Sequence, residues 1–180
     1  LLNNMLFSRL NNGLVRRGRE LSSVSSLLKN KSLFRDVGYI NGQWTNMGCV
    51  DKFDVFNPAN GALIAQVPRM TADSAEEASQ VAFKAWGTWK TRTCKERAKV
   101  LTKMAHLMAE HSDDLAILIT LESGKPFAEA KGEIAYALGF YEFFAEEAKR
   151  MRGDVIPHPV SGRRLLALKE PCGPAALITP

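Results

Sequence analysis

Ala175-Ala176-Leu177-Ile178-Thr179 is an apolar run that ends on a single hydroxyl. A strand with one wet face would alternate apolar and polar side chains, and this one does not. Uninterrupted apolar strands belong to parallel sheets covered by helices on both faces. Parallel strands are joined by crossovers, so the run calls for a following helix and parallel neighbours. Only Pro180 follows it in the 180-residue sequence. The run therefore predicts an α/β fold of which this chain holds the amino-terminal part, truncated where a parallel sheet starts.

Working outward, Pro157, Pro159, Gly162, Pro171, Gly173 and Pro174 separate this run from two earlier extended segments, residues 154–156 and 165–169. Before Gly153 the apolar period becomes helical. Pro126 suits the first residue of a helix that reaches about Arg150, with Ile134, Leu138, Tyr141, Ala145 and Ala148 as its stripe and Glu146–Arg150 as an i,i+4 pair. The helix before it is capped by Ser112, carries Leu115, Leu118 and Ile119 on one face and stops at Gly124. A helix over 95–110 turns Val100, Leu101, Met104, Leu107 and Met108 inward. The first helix starts at an Asp73/Glu76 capping box and follows Ala75, Ala78, Val81, Ala82, Ala85 and Trp86. Ahead of the helices, Asn41-Gly42 between β-formers predicts a hairpin. A second strand pair, 53–56 and 63–67, flanks the turn residues Pro58 and Gly61. The order is hairpins, a helical layer, then strands.

Charge divides the chain. The sequence has 24 Lys+Arg and 19 Asp+Glu, a net +5. Residues 1–35 carry Arg9, Arg16, Arg17, Arg19, Lys29, Lys31 and Arg35 against Glu20 alone, a net +6, and residues 36–180 carry −1. The first 35 residues also hold six serines and a Leu6, Leu10, Leu14 stripe at helical spacing. Arg-rich, Ser-rich, acid-poor and amphipathic is the profile of a mitochondrial transit peptide, disordered or an amphipathic helix. The competing reading is a basic arm for anionic lipid or RNA. The balanced body offers no basic face for nucleic acid, and no apolar run approaches the ~18 residues of a membrane span, so neither is an expected partner.

Chemistry-bearing residues are sparse. Cys49, Cys94 and Cys172 lack zinc spacing, and three well-separated thiols suit a reducing compartment. Cys94 stands near a helix start that would favour its thiolate, with packing as the ordinary alternative. His106 and His111 are five apart and diverge on a helix, while His158 stands alone between prolines, so no metal site is expected. Gly124-Lys125 lacks the flanking residues of a phosphate loop. Its lysine suits the carboxyl end of the third helix. Glu129 and Glu133 are i,i+4 carboxylates beside Lys125 and Lys131, which would neutralise them.

Taken in order, Tyr39-Ile40-Asn41-Gly42-Gln43-Trp44, Asn57-Pro58-Ala59-Asn60-Gly61, Glu96-Arg97-Ala98, Glu122-Ser123-Gly124-Lys125-Pro126, Glu129-Ala130-Lys131-Gly132-Glu133 and Glu170-Pro171-Cys172-Gly173 ahead of Ile178-Thr179-Pro180 resemble the amino-terminal part of the aldehyde dehydrogenase superfamily. The resemblance covers about residues 36–180. It implies the amino-terminal portion of that fold, an incomplete NAD-binding domain that ends at the start of a Rossmann-like parallel sheet. It further implies oxidation of a small-molecule aldehyde to an acid with NAD, NADP remaining open, in a complete form that is a homotetramer. A cysteine thiolate attacks the aldehyde, hydride passes to the nicotinamide, and a glutamate-activated water releases the acid. The nucleophilic cysteine, the base glutamate and the oxyanion asparagine of the family all fall beyond residue 180. The resemblance thus implies no catalytic residue here and a 180-residue chain inactive alone. Ile178, Thr179 and Pro180 match a cofactor-lining segment, chiefly through main chain. Cys172 occupies a position where the family has an apolar residue.

Within the superfamily, residues 119–126, 143–150 and 163–169 resemble the mitochondrial branch acting on succinate semialdehyde in 4-aminobutyrate breakdown, which implies the matrix as location. Two alternatives stand beside it. One is a sibling branch with another substrate, such as methylmalonate semialdehyde or betaine aldehyde. The other is a truncated, non-catalytic interaction module.

Overall fold

In the computed structural model, which describes residues 24–179, Asn41 (φ 53°) and Gly42 (φ 78°) both take positive φ. That is the backbone of a type I′ turn, and it joins β1 (Gly38–Ile40) to β2 (Gln43–Thr45) as the Asn-Gly pair predicts. Tyr39 and Trp44 face each other across this ladder with ring centroids 5.0 Å apart. The second hairpin pairs β3 (Cys49–Phe56) with β4 (Leu63–Met70), longer than the apolar runs alone suggest. A polar cross-strand pair lies in the extension, where Arg69 donates to Asp51 at 3.0 Å, and a second, Gln66 to Asp54 at 2.8 Å, joins the expected segments.

Four helices follow: α1 (Ala72–Trp89), α2 (Cys94–Glu110), α3 (Ser112–Ser123) and α4 (Phe127–Glu147). Their number and order match the sequence reading, while several of their caps do not. Thr71, not Asp73, caps α1 by accepting the Ser74 N–H, and Asp73 sits in the first turn, where its charge suits the dipole. Ser112 opens α3 without capping it, and Pro126 precedes α4. Gly124 ends α3 with φ 74°. Near the end of α4 the ion pairs are Lys149–Glu146 and Arg150–Glu147, so the expected Glu146–Arg150 pair is replaced by two i,i+3 pairs.

The core lies where α4 packs along α2 and α3. Ala98 and Ala105 of α2, Ala116 and Leu121 of α3, and Ala130, Ile134 and Ala145 of α4 are its buried apolar residues. Alanines let helices approach closely, which narrows the seam. Val100, Met104 and Leu107, expected inward, are therefore left exposed, while Leu101 and Met108 are half-covered. On α1 only Ala78, Val81 and Trp86 of the expected face are half-covered, and Ala75, Ala82 and Ala85 are exposed.

Residues 24–35 fall within the span assigned above to the leader, whose residues 1–23 lie outside the described residues. The described part is folded. It forms two 3-10 turns, Val24–Leu27 and Lys31–Leu33, with Val24 and Leu28 buried. Its anchor is the first turn of α3, where the Asp114 carboxylate accepts the backbone N–H groups of Lys29 and Asn30. Charge composition does not reveal this docking, because the contact spans some 85 residues.

After α4, β5 (Asp154–Pro157) and β6 (Arg164–Ala167) form an exposed antiparallel hairpin. Residues 175–179 form no strand, because no described segment pairs with them to supply ladder hydrogen bonds. The expected parallel sheet is thus not formed among the described residues, whose three ladders are all two-stranded and antiparallel.

Candidate functional site

The structure brings two of the quoted motifs together. Residues 57–61 turn tightly: the Asn57 N–H donates to Ala62 O at 2.8 Å, and Asn57 Oδ1 accepts the Ala59 N–H at 2.9 Å. Asn57 is buried. This turn presents Pro58 to Gly124, where an added Cβ would lie 3.0 Å from Pro58 Cγ. Glycine at 124, in its left-handed conformation, therefore lets the hairpin loop and the α3–α4 junction approach closely.

Beyond that junction, Lys125 Nζ donates to Glu133 Oε1 at 2.6 Å. The lysine lies beside the end of α3 and neutralises one of the two candidate carboxylates. Lys131 turns the other way and donates to Asp113 Oδ1 at 2.6 Å. Hydrogen bonds from Lys131, then Lys29, hold the Asp113 carboxyl below the ordinary aspartate range. Glu96 is lowered by the Thr93 backbone N–H and then its hydroxyl, and Glu146 by Lys149. All three shifts favour the ionised form. Asp113, Glu96 and Glu146 are thus salt-bridged acids that hold the fold together.

The remaining candidates stay apart. Cys94 and Cys172 are exposed, and Cys49 is half-buried with its thiol 3.0 Å from Asp51 O. His158 Nδ1 accepts the Val160 N–H, and His111 Nε2 lies 3.5 Å from Asn30 Nδ2. Among the described residues no three His, Cys, Asp or Glu side chains converge as metal ligands, and no helix is long and apolar enough to cross a membrane.

Of the predicted cofactor-lining residues, Ile178 is 95% exposed and its neighbour Leu177 is 89% exposed. Thr179 is exposed too, and Pro180 lies outside the described residues. An open groove of about 470 Å³ between α1, α2 and α4 is lined by Trp89, Arg97, Phe144, Arg150 and Lys169. Two of its cations are engaged within the fold: Arg97 donates to Arg92 O at 2.7 Å and Arg150 to Glu147 at 2.8 Å.

Sequence reading missed two structural groups. The Thr93–Glu96 capping box was legible as Thr-x-x-Glu ahead of an apolar run. Asp114 was not, since nothing local marks a carboxylate that binds main chain so far away.

Comparison with known proteins adds to this geometry. A profile described as "Aldehyde dehydrogenase family" matches residues 44–180. The succinate-semialdehyde dehydrogenase [NADP(+)] of Escherichia coli is 49% identical over 153 residues, 85% of this chain and 32% of that protein. Those 153 residues exceed the 145 from Asp36 to Pro180 by eight, so the alignment reaches back at least to Leu28. A glutarate-semialdehyde dehydrogenase of Pseudomonas putida is 48% identical over the same shares, 85% and 32%. The mitochondrial succinate-semialdehyde dehydrogenase of Arabidopsis thaliana is 43% identical over 89% of this chain and 30% of its own length. Among solved structures, the succinate-semialdehyde dehydrogenase of Burkholderia pseudomallei superposes with a TM-score of 0.72 at 45% identity, over 77% of this chain and 29% of that one. The chain spans about a third of the length of the curated relatives it matches.

Proposed function

We propose a function from one established premise: this chain belongs to the aldehyde dehydrogenase family. The complete protein oxidises succinate semialdehyde to succinate with a nicotinamide dinucleotide, in the breakdown of 4-aminobutyrate. The observation that carries this reading is the 49% identity with the E. coli succinate-semialdehyde dehydrogenase, spread over 85% of the chain. NAD is the expected cofactor. NADP is the competitor, and that relative's own name specifies it.

When bound, the dinucleotide supplies the hydride acceptor. This chain's own residues supply scaffold: the hairpins, the α2–α3–α4 layer, and residues 175–179 as the first strand of the dinucleotide-binding sheet. The nucleophilic cysteine, base glutamate and oxyanion asparagine belong to the two thirds of the relatives' length that the chain does not span. Accordingly, residues 1–180 alone should show no dehydrogenase activity.

The complete protein works in the mitochondrial matrix as a homotetramer. The leader profile of the first residues supports the location, as does the name of the Arabidopsis relative. A second substrate has a specific observation in its favour, the 48% identity with the Pseudomonas glutarate-semialdehyde dehydrogenase. Its substrate has one more methylene, a difference a pocket discriminates by about 10- to 200-fold.

The test is kcat/KM of the complete protein for both semialdehydes, each with NAD and NADP, together with identification of the acid formed. Preference for succinate semialdehyde with succinate as product is expected. Preference for the longer substrate would transfer the assignment to the second reading, and turnover of neither would overturn both.

A further inference from the structure

We infer that amino-terminal processing of the complete protein stops before Val24, leaving residues 24–33 in the mature protein as a strap tied to α3. The inference rests on the leader proposed above and sets its limit.

The strap has three kinds of hold. Val24 and Leu28 are 2% and 4% exposed, so both ends of its first turn are apolar anchors. Asp114 is 2% exposed, and its two carboxylate oxygens accept the N–H of Lys29 at 2.9 Å and of Asn30 at 2.8 Å. Lys29 Nζ adds a contact to Asp113 Oδ2 at 3.1 Å. Asn30 then shapes the second turn, its Oδ1 accepting from the Ser32 N–H and hydroxyl at 3.1 and 2.6 Å. Cleavage after Asn30 would strand a buried carboxylate without its donors, a loss that burial makes costly, and cleavage between Val24 and Leu28 would detach the buried Val24 anchor.

The leader chemistry lies upstream of this hold. Arg9, Arg16, Arg17 and Arg19 all precede Val24. The strap's own Lys29 is engaged by Asp113. Independently, the alignment with the E. coli relative reaches at least to Leu28. A bacterium has no mitochondrial import, so the part it shares belongs to the folded enzyme and not to a leader.

Two measurements on the complete protein test this. In limited trypsin digestion, the Lys29–Asn30 bond of the protein is expected to be cut much more slowly than the same bond in a free peptide of residues 24–35. Equal rates in protein and peptide overturn the strap. In Asp114→Ala the Lys29 bond should approach the peptide's rate. If that variant fails to fold, the wild-type ratio decides alone. In the second measurement the precursor is imported into isolated mitochondria and the matrix form is sequenced from its amino terminus. A first residue at or before Val24 is expected, and one after Val24 overturns the inference. Failure to be imported would overturn the leader reading instead, and the trypsin ratio would still decide the strap.

Discussion

Lys131 Nζ stands 2.6 Å from Asp113 Oδ1, and this pair fastens α4 to the first turn of α3. Asp113 also receives Lys29 from the amino-terminal strap at 3.1 Å, so one carboxylate joins three parts of the chain. Its position in the first helical turn adds the favourable dipole of α3.

The pH dependence of this junction follows from the lowered Asp113 pKa. A carboxyl whose folded pKa is depressed stabilises the fold above its ordinary value of about 4 and loses that contribution as pH falls through the folded pKa. Both partners are substantially solvent-exposed, so screening keeps the effect modest. Asp113→Asn should lower the thermal midpoint of the complete protein at neutral pH. The gap from wild type should close as the pH drops below 4. A constant gap across that range would show that the ion pairs are not its source.

Thr93 and Glu96 form a reciprocal box at the start of α2. The Thr93 hydroxyl accepts the Glu96 N–H, and Glu96 accepts the Thr93 N–H at 2.8 Å. Thr93→Ala removes the side-chain cap and should destabilise the complete protein by about 1 kcal/mol. Thr93→Ser should recover most of the loss. Urea unfolding monitored by far-UV circular dichroism reads both values.

Gly124 holds φ 74° at the end of α3, with Pro58 packed where a side chain would begin. Gly124→Ala meets two obstacles, the left-handed backbone cost of about 1–2 kcal/mol and the close approach of the hairpin loop. Pro58→Ala should relieve only the second. The double variant should therefore be more stable than the two single losses added together, a coupling that a double-mutant cycle measures.

How much of this was legible depends on how far a signal reaches along the chain. Gly124 and Asn41-Gly42 were readable because positive φ is a property of one or two residues. Each helix was readable from its own period. Pairing across the helical layer was less so: Ala98 and Ala105 are buried while the larger Val100 and Met104 are exposed, since α4 decides which stripe is covered. The Asp114 tie was illegible, being long-range and made to main chain. Residues 175–179 have the sequence of a buried strand, yet a strand exists only with a partner, and none is among the described residues. The candidate site was legible only through the family resemblance, because the cysteines, histidines and paired carboxylates of this sequence have no spacing that marks a site by itself.

The cysteines give the clearest functional prediction. Cys94 stands exposed at the first position of α2, and Cys172 lies exposed just ahead of residues 175–179. Either could be taken for the nucleophile of a thiol-dependent dehydrogenase. Neither has the second group that such a nucleophile needs: no histidine, base or oxyanion donor is within hydrogen-bond reach among the described contacts, and Cys172 Sγ touches only Gly173 O, at 3.9 Å. Cys49 is half-buried and directed at Asp51 O. The combined Cys49→Ser, Cys94→Ser and Cys172→Ser variant of the complete protein should keep its aldehyde-dependent formation of reduced nicotinamide and its trapping by an electrophilic thiol reagent. Loss of a true nucleophile lowers kcat by orders of magnitude. A collapse of that size, with folding intact by circular dichroism, would place the nucleophile inside these 180 residues and overturn the assignment of the chemistry to the remainder.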